Sequence, residues 1–416
     1  MSATHATGIA APRLAVSREG LARFMLWLFV FSGSFVLIEP SPYEAMFIPT
    51  LLFFMLAGLR LHATAMPLVI LLVLFNIGGA MAATRVLQYE GTVEYVLISA
   101  FMLGNAVFYA ALLTEHTLER FAIIKTAYIA TAMVAAVFGI VGYFNVAGTS
   151  ELLTLYSRAK AFFKDPNVYS PFLVLPLVLM LQDMLLGRAR TIMILSLPYM
   201  ITLIGLFLSF SRAAWTHVVL SSALAVLFLL IFSNSARLRL RVMVVSIAGG
   251  VSVALGLVAL LSIPAISKVF EIRASLEQDY DVSDSGRFAN QARGLAYIMD
   301  NPLGIGPHAF ARIFEADPHN VFMNAFFSYG WLGGFSYAAT IVLTWAVGYK
   351  ALFKPSPYRL PFGAVLATFT VLSLQGFIID TDHWRHFFLL LGLTWGFIAA
   401  VSKYQQQSGS YFRTTA

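Results

Sequence analysis

Twelve long apolar segments recur along the chain, and they constrain its fold more than any other feature of the sequence. A helix needs about 20 apolar residues to cross the hydrocarbon core of a membrane, and most of these segments approach that length. The chain is therefore expected to be an all-α polytopic membrane protein with about 12 transmembrane helices. The predicted spans are residues 23–39, 45–59, 66–83, 93–113, 121–144, 167–186, 191–210, 213–232, 242–263, 319–348, 361–379 and 386–402.

The composition excludes several other classes of protein. Hydrophobic residues make up 59% of the 416 residues and charged residues 11%, whereas a soluble domain carries roughly 25% charged residues. Neither a soluble enzyme nor a nucleic-acid-binding domain fits this balance, so the formal net charge of +7 is attributed to membrane topology. The absence of cysteine excludes disulfides, thiolate metal sites and a cysteine nucleophile.

The basic residues predict the orientation of the spans, because cytoplasmic connections are enriched in Lys and Arg. With the N terminus inside, 16 of the 27 Lys and Arg residues fall on the inner side and 16 of the 20 Asp and Glu residues on the outer side. Both termini are thus expected to be cytoplasmic. The expected order is a tail (1–22), nine spans with an outer connection at 145–166 (23–263), a long outer connection (264–318), three spans (319–402) and a tail (403–416).

The basic residues left on the outer side are candidates for binding an anionic substrate. Arg212 is the only formally charged residue between Thr191 and Phe232 and has no acidic neighbour in sequence, so a functional anion contact is favoured over snorkelling to the membrane surface. The others are equally explained by pairing with nearby acids or lipid headgroups. The further candidates in the two long connections are Arg158, Lys160, Arg273, Arg287 and Arg293.

The second long connection is predicted to contain two helices. Residues 265–277 place Arg273 within an apolar stripe, as in a helix lying on a membrane surface. A second helix is expected after the capping string Asp284-Ser285-Gly286, with Arg287 at the rim of its apolar face and Arg293 roughly opposite. The Gly304-Ile305-Gly306 turn that follows lacks the strand–helix context of a phosphate-binding loop.

Two polar groups near the late spans are candidate catalytic or acceptor-binding residues. His319, followed by Asn320, lies at the outer mouth of the tenth span, where a neutral imidazole is suited to general-base catalysis. A capping or interfacial role is the alternative, and His308 is a nearby competitor. Asp382, His383 and Arg385, between the last two spans, either hold an acceptor sugar or form a tight polar turn.

Four strings together resemble the O-antigen ligase and polymerase superfamily, whose members share a Wzy-type C-terminal domain. Phe163 to Tyr169 resembles the "F-x-D-P-N" segment of that family, and Ser209 to Arg212 resembles its "S-x-S-R" element. Residues 286–306 and 318–333 resemble its "G-R … P-L-x-G-x-G" loop and "H-N … G-x-x-G" helix start.

The resemblance implies a glycosyltransferase of the bacterial inner membrane with its active site facing the periplasm. The donor would be a glycan linked to undecaprenyl pyrophosphate, and the acceptor either lipid A–core or a second lipid-linked glycan. The family's functional arginines and histidine map to Arg212, Arg287 and His319. Guanidinium groups bind phosphate oxygens in a bidentate way, so these arginines are expected to bind the pyrophosphate. His319 is expected to deprotonate the acceptor, with inversion at the anomeric carbon. Neither a metal nor a cofactor is expected.

Several alternatives stay open from the sequence. The compact chain favours an O-antigen ligase, but a polymerase or a protein oligosaccharyltransferase would use the same donor. A lipid-linked-oligosaccharide flippase is a further alternative, although ion-coupled carriers usually keep acidic residues at the membrane midplane. A metal-dependent glycosyltransferase would use Glu39 and Glu44 of the first outer connection.

Overall fold

The computed structural model describes residues 17–274, 286–314 and 316–414, except for the side chains of Arg287 and of residues 409–414. Within these ranges a helix occupies each of the twelve predicted apolar segments, so the all-α polytopic fold is confirmed. Nine of the described helical segments are long and apolar enough to cross a membrane. Pro42–Leu56 and Arg359–Gln375 are apolar but shorter, and the first segment holds a 14-residue helix, Arg18–Phe31.

The helices are numbered in chain order over the described residues. The first ten are α1 (Arg18–Phe31), α2 (Pro42–Leu56), α3 (Met66–Ala83), α4 (Thr92–Leu112), α5 (Thr117–Tyr143), α6 (Ser150–Leu153), α7 (Pro166–Phe172), α8 (Val174–Leu186), α9 (Ala189–Phe207) and α10 (Arg212–Phe232). The others are α11 (Ala236–Leu261), α12 (Pro264–Ala274), α13 (Arg287–Asp300), α14 (Ala309–Phe314), α15 (Val321–Leu352), α16 (Arg359–Gln375) and α17 (Arg385–Thr414). Short 3-10 turns occupy Ser32–Ser34, Ala63–Ala65 and Val146–Gly148. A two-stranded antiparallel hairpin, β1 (Thr154–Leu155) and β2 (Arg158–Ala159), interrupts the helices.

Small polar residues at the ends of the apolar segments set where helices begin. Ser41 and Glu44 form a reciprocal capping box at α2, and Asp165 accepts a hydrogen bond from the backbone N–H of Asn167 at α7. Asn320 does the same for Met323 at the start of α15. The polar strings between spans therefore have a structural function as helix caps, in addition to any role in binding.

The Gly304-Ile305-Gly306 turn is a packing element of the second long connection. Gly304 and Gly306 both have positive φ angles, and a side chain at Gly304 would meet the backbone of Gly330 at 2.7 Å. The backbone N–H groups of Ile305 and Gly306 donate to the carbonyl of Phe327, at the point where Gly330 breaks the regular geometry of α15. These bonds fix the long connection against the N-terminal part of α15.

Candidate functional site

A large cavity lies at one end of the helix bundle, where several connections meet. Its volume is about 820 Å3. The lining residues come from the hairpin, the start of α7, the α9–α10 turn, α12, α13, the residues just before α15 and the α16–α17 connection. They are Tyr156, Arg158, Asp165, Asn167, Val168, Phe210, Ser211, Arg212, Ala213, Arg273, Phe288, His319, Ile378, Ile379, Asp380 and Trp384. Four of the predicted site residues, Arg158, Arg212, Arg273 and His319, thus line a single cavity.

The hairpin sets the position of Arg158. This side chain is only 8% exposed, and its Nε donates to the carbonyl oxygen of Ser209 at 2.6 Å. Its Nη2 donates to Oδ1 of Asn167 at 2.7 Å. Arg158 therefore joins two of the sequence strings, Asp165-Pro166-Asn167 and Ser209 to Arg212, into one wall of the cavity.

Arg212 and Arg273 reach the cavity from helix ends that pack on each other. Arg212 is the first residue of α10, and Arg273 lies in the last turn of α12. Aromatic rings hold α12 in place: Phe270 lies 5.6 Å from Trp215 and 6.0 Å from Phe207, measured between ring centroids. The positive end of the α10 macrodipole, which lies at the cavity, adds to the cationic character of this wall.

His319 is held by the carboxyl group of Asp380. The backbone N–H groups of His319 and Asn320 donate to the two oxygens of Asp380, each at 3.1 Å. His319 has a φ of 47°, a left-handed conformation that is uncommon for a residue other than glycine. The two bonds to Asp380 stabilise this conformation at the cavity wall, directly before α15.

Electrostatically, the cavity favours an anion. Three guanidinium groups line it, against the carboxyl groups of Asp165 and Asp380. Burial, with the negative charges of Asp382 and Asp317, raises the pKa of Asp380 to about 8, although the two amide donors act in the opposite direction. Asp380 is thus mostly uncharged at neutral pH, and the guanidinium groups dominate.

The structure places Asp382 and His383 outside this cavity. Asp382 is 3% exposed and accepts hydrogen bonds from the hydroxyl of Tyr95 at 2.7 Å and from Nδ2 of Asn324 at 3.1 Å. Nδ1 of His383 lies 3.2 Å from the same carboxylate, and Nε2 lies 3.0 Å from the hydroxyl of Ser99. Of the two sequence interpretations, the geometry favours the tight polar turn over the acceptor-binding group.

Arg385 also lies away from the cavity lining. Its Nε donates to Glu44 at 2.5 Å, and its Nη2 lies 3.6 Å from Glu39. Lys164 pairs with Glu39 at 2.9 Å. The two carboxylates considered for a metal are therefore engaged with cations, and the described residues contain no group of three or more His, Asp or Glu that could hold a metal ion.

The other predicted site residues have different surroundings. Nζ of Lys160 donates to the carbonyl of Leu152 at 2.7 Å, and Arg293 donates to the side chain of Asn290. Neither lines the cavity, and Asn320 contributes its backbone N–H to Asp380. The side chain of Arg287 lies outside the described residues; its backbone begins α13, next to the cavity-lining Phe288.

Sequence reasoning did not identify Asp380 as the partner of His319, nor Asn167 as the partner of Arg158. Asn167 carried a signal, since it belongs to the string that resembles the family's "F-x-D-P-N" segment. Asp380 carried none that set it apart from Asp382, because both lie in the same short polar connection.

Part of the chain matches a known protein family. Residues 197–338 match the family model Wzy_C, described as O-antigen ligase. This match covers about a third of the chain and confirms the resemblance to the O-antigen ligase and polymerase superfamily. It contains Arg212, Arg273, Phe288 and His319 of the cavity, whereas Arg158 and Asp380 lie outside it.

The family match supports a function of the ligase or polymerase type and, in general, lipid-linked glycan substrates. A search of curated proteins finds no match.

Proposed function

We propose that this protein is a membrane glycosyltransferase that moves a glycan from undecaprenyl pyrophosphate to an acceptor hydroxyl. One observation carries the proposal: a histidine suited to act as a base and three arginines suited to bind a pyrophosphate line the same cavity at one end of an apolar helix bundle. The family match, with its lipid-linked glycan substrates, supports the same assignment.

The arginines would bind the pyrophosphate of the donor. Arg158 is oriented by Ser209 and Asn167, so little conformational entropy remains to be lost when phosphate binds. Arg212 and Arg273 face the same space from α10 and α12, and Arg287 is expected to add a further cation. Fixed guanidinium groups stabilise the negative charge that develops on the leaving pyrophosphate, and this stabilisation replaces that of a metal ion.

His319 would act as the general base. The acceptor oxygen attacks the anomeric carbon, the bond from that carbon to the pyrophosphate oxygen breaks, and the acceptor proton passes to the imidazole. Undecaprenyl pyrophosphate leaves with the electron pair of the broken bond. A single direct displacement inverts the configuration at the anomeric carbon. Asp380 is a positioning residue in this scheme, because it holds the backbone of His319.

The expected setting is the bacterial inner membrane, with both termini in the cytoplasm and the cavity facing the periplasm. The undecaprenyl chain would lie among the apolar helices, and the glycan would extend into the aqueous phase. We favour lipid A–core as the acceptor, which makes the protein an O-antigen ligase. A second lipid-linked glycan, and hence a polymerase, is the alternative.

The proposal is tested by incubating the purified protein in detergent with lipid-linked glycan and lipid A–core. Formation of a new glycosidic bond with release of undecaprenyl pyrophosphate is expected, and EDTA should leave the rate unchanged. A protein that moves the donor across vesicles without forming a bond would be a flippase. Loss of transfer in EDTA that Mg²⁺ restores would contradict the metal-independent scheme.

A deletion strain separates the two acceptors. A ligase mutant should lose all long chains on lipid A–core and accumulate lipid-linked polymer. A polymerase mutant should instead carry cores bearing a single repeat.

A further inference from the structure

We infer that Tyr156, at the tip of the β1–β2 hairpin, is a sugar-binding platform at the mouth of the cavity. The ligand would be a pyranose ring of the donor or of the acceptor, stacked on the phenol ring. The inference rests on the proposed function, since it requires a glycan in the cavity.

The exposure of Tyr156 is the first observation. Its side chain is 78% exposed although it lines the cavity, and Phe288, which lines the same cavity from α13, is 53% exposed. In the described part of the chain, neither ring stacks on another aromatic ring. Large aromatic rings left exposed beside a concave polar site are typical of ligand contacts.

The backbone at Tyr156 is the second observation. Tyr156 and Ser157 form the two-residue turn of the hairpin, with φ angles of 51° and 59°. Such a turn favours glycine or asparagine, and a positive φ is unfavourable for a bulky aromatic residue. Strain of this kind clusters at functional sites, where a particular side chain is needed at a particular place.

The chemistry of a pyranose explains why tyrosine would be kept there. One face of the ring is made of C–H groups that pack on an aromatic surface, while its hydroxyls remain in water or bond to polar side chains. Arg158 follows Tyr156 by two residues and carries the guanidinium group that lines the cavity. A sugar on Tyr156 would thus lie next to the expected pyrophosphate site.

Glycine substitutions distinguish the effect of the phenol ring from the effect of the backbone conformation of the turn. Tyr156→Gly removes the ring but suits the positive φ, so the hairpin and Arg158 should keep their positions. Ser157→Gly relieves strain and keeps the ring. Transfer is measured at varied donor and acceptor concentrations, with thermal unfolding as the check on folding. Phe335→Ala is the matched control, since Phe335 is 63% exposed but does not line the cavity.

We expect Tyr156→Gly to raise the KM for either the donor or the acceptor about tenfold, because an aromatic contact contributes roughly a factor of ten in affinity. Ser157→Gly and Phe335→Ala should retain transfer close to wild type. Tyr156→Trp keeps an aromatic ring and should raise the same KM less than Tyr156→Gly does. A rise in the donor KM places the donor sugar on Tyr156, and a rise in the acceptor KM places the acceptor there.

Wild-type kinetics in a folded Tyr156→Gly protein would overturn the inference and leave the proposed function intact. An equal loss in Phe335→Ala would also overturn it, because removing an exposed aromatic ring away from the cavity would then have the same effect. Failure of the wild-type protein to transfer any glycan would instead refute the proposed function.

Discussion

Two acid–histidine groups lie at the same end of the bundle, and only one of them faces the cavity. Asp380 binds the backbone of His319, and both residues line the cavity. Asp382, two residues further on, is buried, accepts hydrogen bonds from hydroxyl and amide donors, and lies beside the partly buried His383. The same pair of residue types thus lines the proposed reaction site in one place and joins packed helices in the other.

The difference between the two groups comes from how many partners each carboxylate has. Burial raises the pKa of Asp382, but the charge and hydrogen bond of His383 and the hydroxyl of Tyr95 outweigh burial and lower it. The pKa of Asp380 is instead raised to about 8, because its acidic neighbours add to the effect of burial. A saturated, charged Asp382 stabilises the fold, whereas Asp380 remains able to exchange a proton beside the candidate base.

The largest expected effect distinguishes the two histidines. His319→Ala should lower kcat about a thousandfold, because a positioned general base contributes 10²–10⁴-fold. His383→Ala should change kcat less than tenfold and lower the unfolding temperature, since it removes a partner of Asp382. Initial rates of transfer and thermal unfolding in detergent measure both effects. Comparable losses of kcat in the two variants would remove the distinction between the groups.

The second expected effect distinguishes an arginine that lines the cavity from an arginine that is paired with acids. Arg212→Gln should lower kcat/KM about a hundredfold, the usual loss when one preorganised donor to a developing charge is removed. Arg385→Gln should reduce transfer by less than tenfold and weaken thermal stability, because it breaks contacts with Glu44 and Glu39. If Arg385→Gln proves the more damaging to kcat/KM at unchanged stability, the donor does not bind where we propose.

The sequence was sufficient to predict the helices and four of the residues that line the cavity. Apolar length and basic connections predicted which segments meet at one end, and Arg158, Arg212, Arg273 and His319 do meet there. The roles of Asp380 and Asp382 could not be predicted. The surroundings of Asp382 depend on Tyr95 of α4 and Asn324 of α15. Those of Asp380 depend on the backbone that precedes α15. All of these partners are far away in sequence.

The sequence also does not predict which cationic residues of the long connections line the cavity. Arg158 and Lys160 are two residues apart and equally basic, yet Arg158 lines the cavity and Lys160 bonds to the carbonyl of Leu152. Arg158 lies in β2, and Lys160 directly follows this strand. The hairpin consists of two strands of two residues each, which is too short to give a periodic sequence pattern.

The third expected effect is on the stability of the fold and is specific to the buried carboxylate of Asp382. Asp382→Ala should lower the free energy of unfolding by about 3 kcal/mol, because it leaves the buried donors of Tyr95 and Asn324 without their acceptor. Asp382→Asn keeps an acceptor oxygen and should cost less. Chemical or thermal unfolding in detergent measures the difference. Unchanged stability of Asp382→Ala would mean that this cluster does not support the fold.

The smallest expected effect is on the pH dependence of transfer, through Asp380. As the pH rises through about 8, Asp380 ionises and its new charge opposes binding of the pyrophosphate. We expect kcat/KM to fall about fivefold across this interval, as for a charge repulsion of roughly 1 kcal/mol. Asp380→Asn stays neutral at every pH and should remove the fall. Asp382→Asn is the control and should retain it, because the pKa of Asp382 lies below its ordinary value.

Stability should follow the same ionisation, with a sign set by the raised pKa. The folded protein keeps the proton of Asp380 up to about pH 8, whereas the unfolded chain releases it above its ordinary pKa of 3.8. This contribution to the free energy of unfolding is therefore fully present below pH 3.8 and is lost as the pH rises to about 8. The loss is measured by comparing the unfolding temperatures of wild type and Asp380→Asn at pH values between 5 and 9, in steps of about one pH unit. Parallel plots of unfolding temperature against pH for the two proteins would show that Asp380 is already ionised at neutral pH. Its negative charge would then weaken the cationic character of the cavity, which is the feature that distinguishes the surroundings of His319 from those of His383.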